Sequence, residues 1–195
     1  MQAAVLFGRR SILRSDPRWL AAVAASHALG GGASSRLFRV LREERALTYG
    51  AFSSLAARTR SGHFVASVDV RNDAAAEGVN GLLDLVRAFA EEGPTGEELR
   101  RSVDFLAGSF ALARETPGSV VEDEVGRVLH ALPEDESRTW RERLRALSPE
   151  QVREASRLFH PSEGTLVAVG DPEHLRPVLG ALGPVTEWEA DGTTA

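Results

Sequence analysis

The chain has 195 residues, a formal net charge of −5 and 43% hydrophobic residues, enough for one large domain or two small ones around a substantial core. All 23 basic residues are arginine, and the lack of lysine excludes a Walker A phosphate loop, a Schiff-base lysine and a Ser-Lys dyad. With no cysteine, disulfides, thiolate metal sites and cysteine nucleophiles are excluded as well, and the mild acidity argues against a nucleic-acid surface.

An apolar run at residues 3–7 predicts a short buried strand. Residues 8–15 are polar and arginine-rich and lead to Asp16-Pro17, a helix start with proline in the first helical position. Trp19, Leu20, Val23, Ala24 and Leu29 form a helical stripe, which Gly30, Gly31 and Gly32 stop. Ser34 and Ser35 can cap the next helix, predicted over residues 35–45, with Leu37, Phe38, Val40 and Leu41 at helical spacing. Alternation is weak over residues 49–56 and clear over 63–70, where Phe64, Ala66, Val68 and Val70 share a face. Together the two segments predict an antiparallel hairpin packed on one side.

Asn72-Asp73 opens an amphipathic helix with Val79, Leu82, Leu83, Val86, Phe89 and Ala90 inward, and Gly93-Pro94 ends it. Thr95 and Glu98 make a capping box for a helix whose stripe is Leu99, Val103, Leu106 and Phe110. After the Pro117-Gly118 break, Val121, Val125, Val128 and Leu129 predict a further helix, and Trp140, Leu144 and Leu147 a short one. Ser148 and Gln151 form a second capping box before a helix carrying Val152, Ala155, Leu158 and Phe159. Residues 165–169 read as a strand, and Asp171-Pro172 starts a last helix through Leu175, Val178 and Leu179.

The expected fold class is α+β, a mostly antiparallel sheet packed against several helices. Residues 1–183 are expected to form a single domain, with an acidic flexible tail over 184–195. No apolar run approaches about 18 residues, so no membrane span is expected, and the start lacks signal-peptide features. The absence of cysteine leaves cytoplasm and periplasm equally open.

The most specific signal lies in residues 29–49. Leu29 and the three glycines, then Ser35-Arg36-Leu37-Phe38, then Leu41-Arg42-Glu43, then Leu47 and Tyr49, follow in one ordered motif. It resembles the glycine-rich segment of the non-catalytic half of M16 (pitrilysin-type, inverzincin) zinc peptidases. His160-Pro161 through Gly170-Asp171-Pro172 resembles that family's segment before its last strand, with histidine where tyrosine is commoner. The resemblance covers nearly the whole chain as one half-domain, and such a half is normally part of a longer chain.

Catalytic M16 halves carry His-x-x-Glu-His on a helix. Here the histidines are His27, His63, His130, His160 and His174, and no two lie four apart. The chain is therefore expected to hold no metal or cofactor itself, with zinc in the partner half. A lone His27 reads as a capping or packing residue. A serine-hydrolase reading of residues 32–36 fails for want of the second elbow glycine. An anion site at residues 30–35, ahead of a helix N-terminus, is physically admissible but has no lysine to support it.

The resemblance implies that Arg42 and Tyr49 reach across to the catalytic zinc of the partner. Arg42 would donate to a substrate carbonyl, and the Tyr49 hydroxyl would stabilise the developing oxyanion. The plain alternative pairs Arg42 with Glu43 or Glu44 and makes Tyr49 an ordinary strand aromatic. Gly30, Gly31, Gly32 and Ser35 would form a flexible loop touching substrate, although helix termination is the simpler account and needs only one glycine. The free hairpin edge could extend a peptide by strand addition, with the edge strand left unassigned.

The implied partners are a catalytic M16 half, in the same chain or a separate subunit, and an unfolded peptide. A homodimer of the isolated chain stays open, and neither nucleic acid nor membrane is expected. The leading functional expectation is the substrate-binding, zinc-less half of an M16 endopeptidase, inactive alone. The alternative is a non-proteolytic scaffold or assembly subunit.

Overall fold

Four strands build one antiparallel sheet in the order β2-β3-β1-β4, from β1 (Gln2–Ser11), β2 (Thr48–Ala57), β3 (Gly62–Arg71) and β4 (Thr165–Val169). The structure, a computed structural model, describes residues 2–189, 192 and 193. β1 pairs with β3 from Gln2 opposite Arg71 to Ser11 opposite Gly62. That ladder carries the first strand past the apolar run where the sequence alone would end it. Arg9 adds a side-chain tie, donating to the His160 carbonyl and lying 3.4 Å from Glu163.

One sheet face is apolar at alternate positions: Val5 and Phe7 on β1, Ala51 on β2, and Phe64, Val68 and Val70 on β3 are all buried. Seven α-helices among the described residues cover it or extend from it: α1 (Trp19–Gly30), α2 (Ala75–Glu92), α3 (Gly96–Leu112), α4 (Pro117–Leu129), α5 (Glu136–Arg145), α6 (Pro149–Ser156) and α7 (Pro172–Leu182). The other face is open to solvent, with Phe52, Leu6 and Val167 exposed in one cross-strand row through Ser67.

α1 is the central helix, packed against β2, α3, α5 and α6. Its core contacts come from alanine: Ala21, Ala22, Ala24, Ala25 and Ala28 are buried together with Leu29. The expected stripe is corrected here, because Trp19, Leu20 and Val23 are only half-buried. Small side chains let four elements approach one helix closely, and a helix apolar all round sits inside. α1 begins at Trp19 rather than at Pro17, since the Asp16 carboxylate accepts the Arg18 N–H at 2.8 Å and the Arg18 guanidinium as well.

On α1 a close approach falls at Gly30, its last residue. A Cβ there would stand 2.2 Å from the Ser53 backbone nitrogen on β2, and Ser53 Oγ donates to the Ser26 carbonyl at 2.8 Å. A Cβ on Gly32 would meet nothing within 4 Å. Neither glycine has a positive φ, so the first is required by packing and not by an unusual dihedral.

α2 buries the six inward residues read from its sequence, after a short 3-10 turn at Asn72–Ala74. Both capping boxes are present, Thr95 with Glu98 and Ser148 with Gln151. On α3 only Leu99 of the expected stripe is buried; Val103, Leu106 and Phe110 are half-buried, and Phe110 stacks on Trp140 of α5 at 4.6 Å. Phe159 follows α6 on a 3-10 turn and stacks on Phe64 at 4.2 Å. In the expected tail, Glu187 pairs with Arg176 at 2.6 Å, whereas residues 190, 191, 194 and 195 lie outside the described residues. No helix among the described residues is long and apolar enough to cross a membrane.

His27 packs between α1 and α3. Its Nδ1 lies 3.0 Å from Ser102 Oγ, which itself donates to the Ala24 carbonyl at 2.9 Å, so the proton between them belongs to Nδ1. The ring stacks on Phe105 at 4.7 Å and Nε2 is buried without a partner. Burial therefore holds the imidazole neutral and pushes its pKa below the ordinary value.

Two outcomes follow from these contacts. Gly30→Ala should lower the unfolding free energy in urea by about 1–3 kcal/mol through overpacking, while Gly32→Ala should stay within about 0.5 kcal/mol. For His27 the unfolded chain binds the proton first, so its contribution is full above the unfolded pKa of about 6.5 and is lost as pH falls below it. His27→Phe should flatten the fall in melting temperature between about pH 7 and pH 5 that the wild-type chain shows.

Candidate functional site

The segment after the glycines turns inward before it coils. Ser35, Arg36, Leu37 and Phe38 are all buried. Arg36 donates through Nε to Glu98 Oε1 at 2.9 Å, through Nη2 to Glu98 Oε2, and to the Gly93 carbonyl at 3.0 Å, with its guanidinium over the Phe89 ring. Burial alone would raise the Glu98 carboxyl; hydrogen bonds from Arg36 and the Thr95 backbone outweigh it and hold the pKa below the ordinary value.

The expected α-helix over residues 35–45 is instead mainly a π-helix, Phe38–Glu44. The Arg39 N–H reaches the Ser35 carbonyl as in an α-helix, whereas the Arg45 N–H reaches the Val40 carbonyl and the Leu47 N–H the Leu41 carbonyl, so the closing bonds lengthen along the coil. Ala46 leaves the coil with φ +51, in the left-handed region. Neither serine caps it: Leu37 holds the N-cap position without a side-chain bond, and Ser35 Oγ is buried and unpartnered.

The wide coil buries Phe38 and Leu41 and turns Arg42 outward. The Arg42 guanidinium lies over the Phe38 ring, 4.5 Å from its centroid. No carboxylate pairs with it among the described residues, and Glu44 pairs with Arg39 instead. The simple Arg42–glutamate pair weighed from sequence is thus not formed. At least sixteen of the 23 arginines do have a carboxylate within 4.0 Å, so Arg42 stands out as a cation held by an aromatic face.

Tyr49 sits on a distortion of β2. Thr48 pairs with Val70 and Ala51 with Val68, which leaves Tyr49 and Gly50 together opposite Asp69. Such a bulge re-aims a side chain. The Thr48 hydroxyl pins it, accepting the Gly50 N–H at 3.0 Å and directing its one proton toward the Asp69 carbonyl at 2.5 Å, with the Gly50 carbonyl as the alternative acceptor at 2.8 Å. A Cβ on Gly50 would stand 2.6 Å from the Phe52 ring, so glycine lets Phe52 lie back over the bulge. Phe52 in turn meets Phe38 at 6.4 Å. Arg42, Phe38, Phe52 and Gly50 therefore form one connected ledge, and Tyr49, the chain neighbour of Gly50, stands beside it with 85% of the residue exposed.

Phe38, Phe52 and the Thr48 clamp are the members that sequence reasoning missed. A glycine inside a strand pattern two residues after threonine was the available signal for the bulge. Of the loop residues, Gly31 is exposed, Gly32 half-buried, and Gly30 and Ser35 are buried. No group of three histidine, cysteine, aspartate or glutamate side chains could hold a metal among the described residues, so the donor set does not fit zinc. β2 and β4 are the two edge strands, which assigns the hairpin's outer strand to the one that carries Tyr49.

Thr48→Val removes the hydroxyl clamp at nearly constant volume, at a cost of about 1 kcal/mol. Because Tyr49 is the single tyrosine, fluorotyrosine labelling gives one fluorine resonance to follow. That resonance should carry the shift of a solvent-exposed ring in the wild type and move in Thr48→Val; an unmoved line would mean the clamp does not set the orientation of Tyr49.

Comparison with known proteins places the chain among relatives in sequence and fold. The family model described as peptidase M16 inactive domain matches residues 1–106. An uncharacterized zinc protease of Streptomyces coelicolor is 30% identical over 190 residues, covering 97% of this chain and 38% of that protein. A peptidase M16 inactive domain from Pseudomonas fluorescens superposes with a TM-score of 0.80 at 25% identity, over 86% of this chain and 40% of that one. A protease from Helicobacter pylori shares the fold, with a TM-score of 0.77 at 19% identity over 87% of this chain and 41% of that one. The chain thus spans well under half the length of these relatives.

Proposed function

This chain belongs to the family of M16 peptidase inactive domains, and from that premise we propose that it is the zinc-free, substrate-facing half of a zinc endopeptidase that cleaves unfolded peptides. Residues 1–183 act as one half-domain, with 184–195 as its tail. The partner is a His-x-x-Glu-His half, in the same longer chain or in a separate subunit, and the zinc belongs to that half. One observation carries the reading: an arginine with no carboxylate partner among the described residues stands on an aromatic ledge that ends, at Gly50, next to an almost fully exposed tyrosine.

The chemistry available to the pair is hydrogen-bond donation. Arg42 presents a permanently charged fork of N–H groups, and stacking on Phe38 limits where that fork can point. With no carboxylate to compete, it donates to a peptide carbonyl and orients the chain. The Tyr49 O–H donates to the carbonyl oxygen at which negative charge develops, an interaction worth more in the transition state than in the ground state. Both groups must be reachable by a substrate held on another surface, which an exposed position on a bulge allows. The substrate-touching part of the glycine segment narrows to Gly31 and Gly32, because Gly30 and Ser35 are buried.

Mixing the chain with a His-x-x-Glu-His half and a quenched unstructured peptide tests this directly. The chain alone should neither cleave nor bind stoichiometric zinc. Arg42→Ala and Tyr49→Phe should each lower turnover of the mixture by about 10²-fold or more, as loss of an oxyanion donor does. Variants that cleave as fast as wild type would make the pair structural, and a scaffold role would replace the catalytic one.

A further inference from the structure

α4 is a helix with well-defined ends and no cover. Thr116 caps it by accepting the Ser119 N–H, proline occupies the first turn, and Arg114 ties Asp123 back to the preceding loop. Yet none of its residues is buried, and it makes no extensive packing with any other element. Val121, Val125, Val128 and Leu129 share one face, 61%, 51%, 67% and 63% exposed. A helix of 13 residues is marginal in water without a packed face. We propose that this face docks a neighbouring domain of the same longer polypeptide, one that meets it with an apolar patch rimmed by basic side chains.

Charge fixes the rim. Residues 115–136 hold seven carboxylates against one arginine, a net −6 in a chain whose total is −5. Glu122, beside the apolar face, has no ion pair among the described residues, whereas Asp123 and Glu124 pair only with Arg114 and Arg127. A second copy would bring this acidic stretch against itself, and like charges facing each other oppose association.

Area points the same way. The exposed apolar face amounts to roughly 400 Å², about half of what each partner buries in a standard stable complex between separate chains. A covalently joined domain needs less, because tethering raises its effective concentration to the millimolar range. The relatives supply such domains, since most of their length lies outside the part this chain matches. The proposal rests on the chain being one part of a longer M16 protein and not on the roles of Arg42 and Tyr49.

The test compares the isolated chain with a single polypeptide in which a His-x-x-Glu-His half is joined to it by a flexible linker. Hydrogen exchange of the α4 amides should be fast in the isolated chain and at least about tenfold slower in the joined one. Val125→Glu with Val128→Glu should restore fast exchange in the joined chain, leaving exchange in α1 and the unfolding midpoint unchanged. Glu122→Arg should weaken the protection. Equal exchange in both chains overturns the proposal. So does slow exchange in the isolated chain, whether it depends on concentration, which would make a second copy the occupant, or not. Arg42→Ala and Tyr49→Phe should leave α4 exchange untouched, so a failure of the catalytic reading is visible separately in cleavage.

Discussion

Arg36 and Glu98, 62 residues apart in sequence, meet in a buried pair that fixes where the segment between α1 and β2 can lie. The guanidinium uses both edges, two bonds to the carboxylate and one to the Gly93 carbonyl, while its face rests on Phe89. Glu98 answers in two directions, since it also closes the capping box of α3 by accepting the Thr95 N–H at 2.8 Å. Removing one member of such a pair strands the other charge in the interior and costs about 3–5 kcal/mol. With Arg36 anchored, Leu37, Phe38 and Leu41 follow into the core, and the coil that carries Arg42 has a fixed root.

Around that root the backbone departs from regular geometry. The coil widens to a π-helix, Ala46 is one of two left-handed non-glycine residues among those described, and β2 carries a bulge at Tyr49 and Gly50. Each left-handed or similarly sparse conformation costs on the order of 1–3 kcal/mol and persists only where surrounding structure enforces it. Here the enforcement is visible: Phe38 against Phe52 and Gly30 against Ser53 bind the coil and α1 to β2, and the Thr48 clamp fixes the bulge of β2 against β3. α-helices that end on local caps, such as α3 and α6, show no comparable distortion. Irregularity concentrated beside Arg42 and Tyr49 is what a site assembled for positioning would require.

Local codes were readable without coordinates. The capping boxes at Thr95 and Ser148, the alternation of Phe64 to Val70 and the 3.6-residue stripe of α2 depend only on neighbours a few residues away. The motif from Leu29 to Tyr49 likewise named Arg42 and Tyr49 and the family, because ordered residue identities survive in one dimension. Alanine hid the centre of the fold, since of the buried alanines on α1 only Ala24 entered the apolar stripe, and Ala21, Ala22, Ala25 and Ala28 read as neutral until four elements are seen closing on them.

What the sequence by itself determined was therefore most of the elements, the α+β class, the family and two candidate donors, but not the π-helical form of the coil. Only the tertiary structure decided how those donors are presented. The bulge is the point where Asp69 faces two residues of β2, and among the described residues Arg42 has no carboxylate partner, Glu44 pairing with Arg39 while Phe38 lies under the Arg42 guanidinium. The apolar stripe of α4 was legible too, but its lack of cover was not. Pairing register, aromatic contacts between distant segments and the absence of a packing partner are long-range properties, and no window of local sequence contains them.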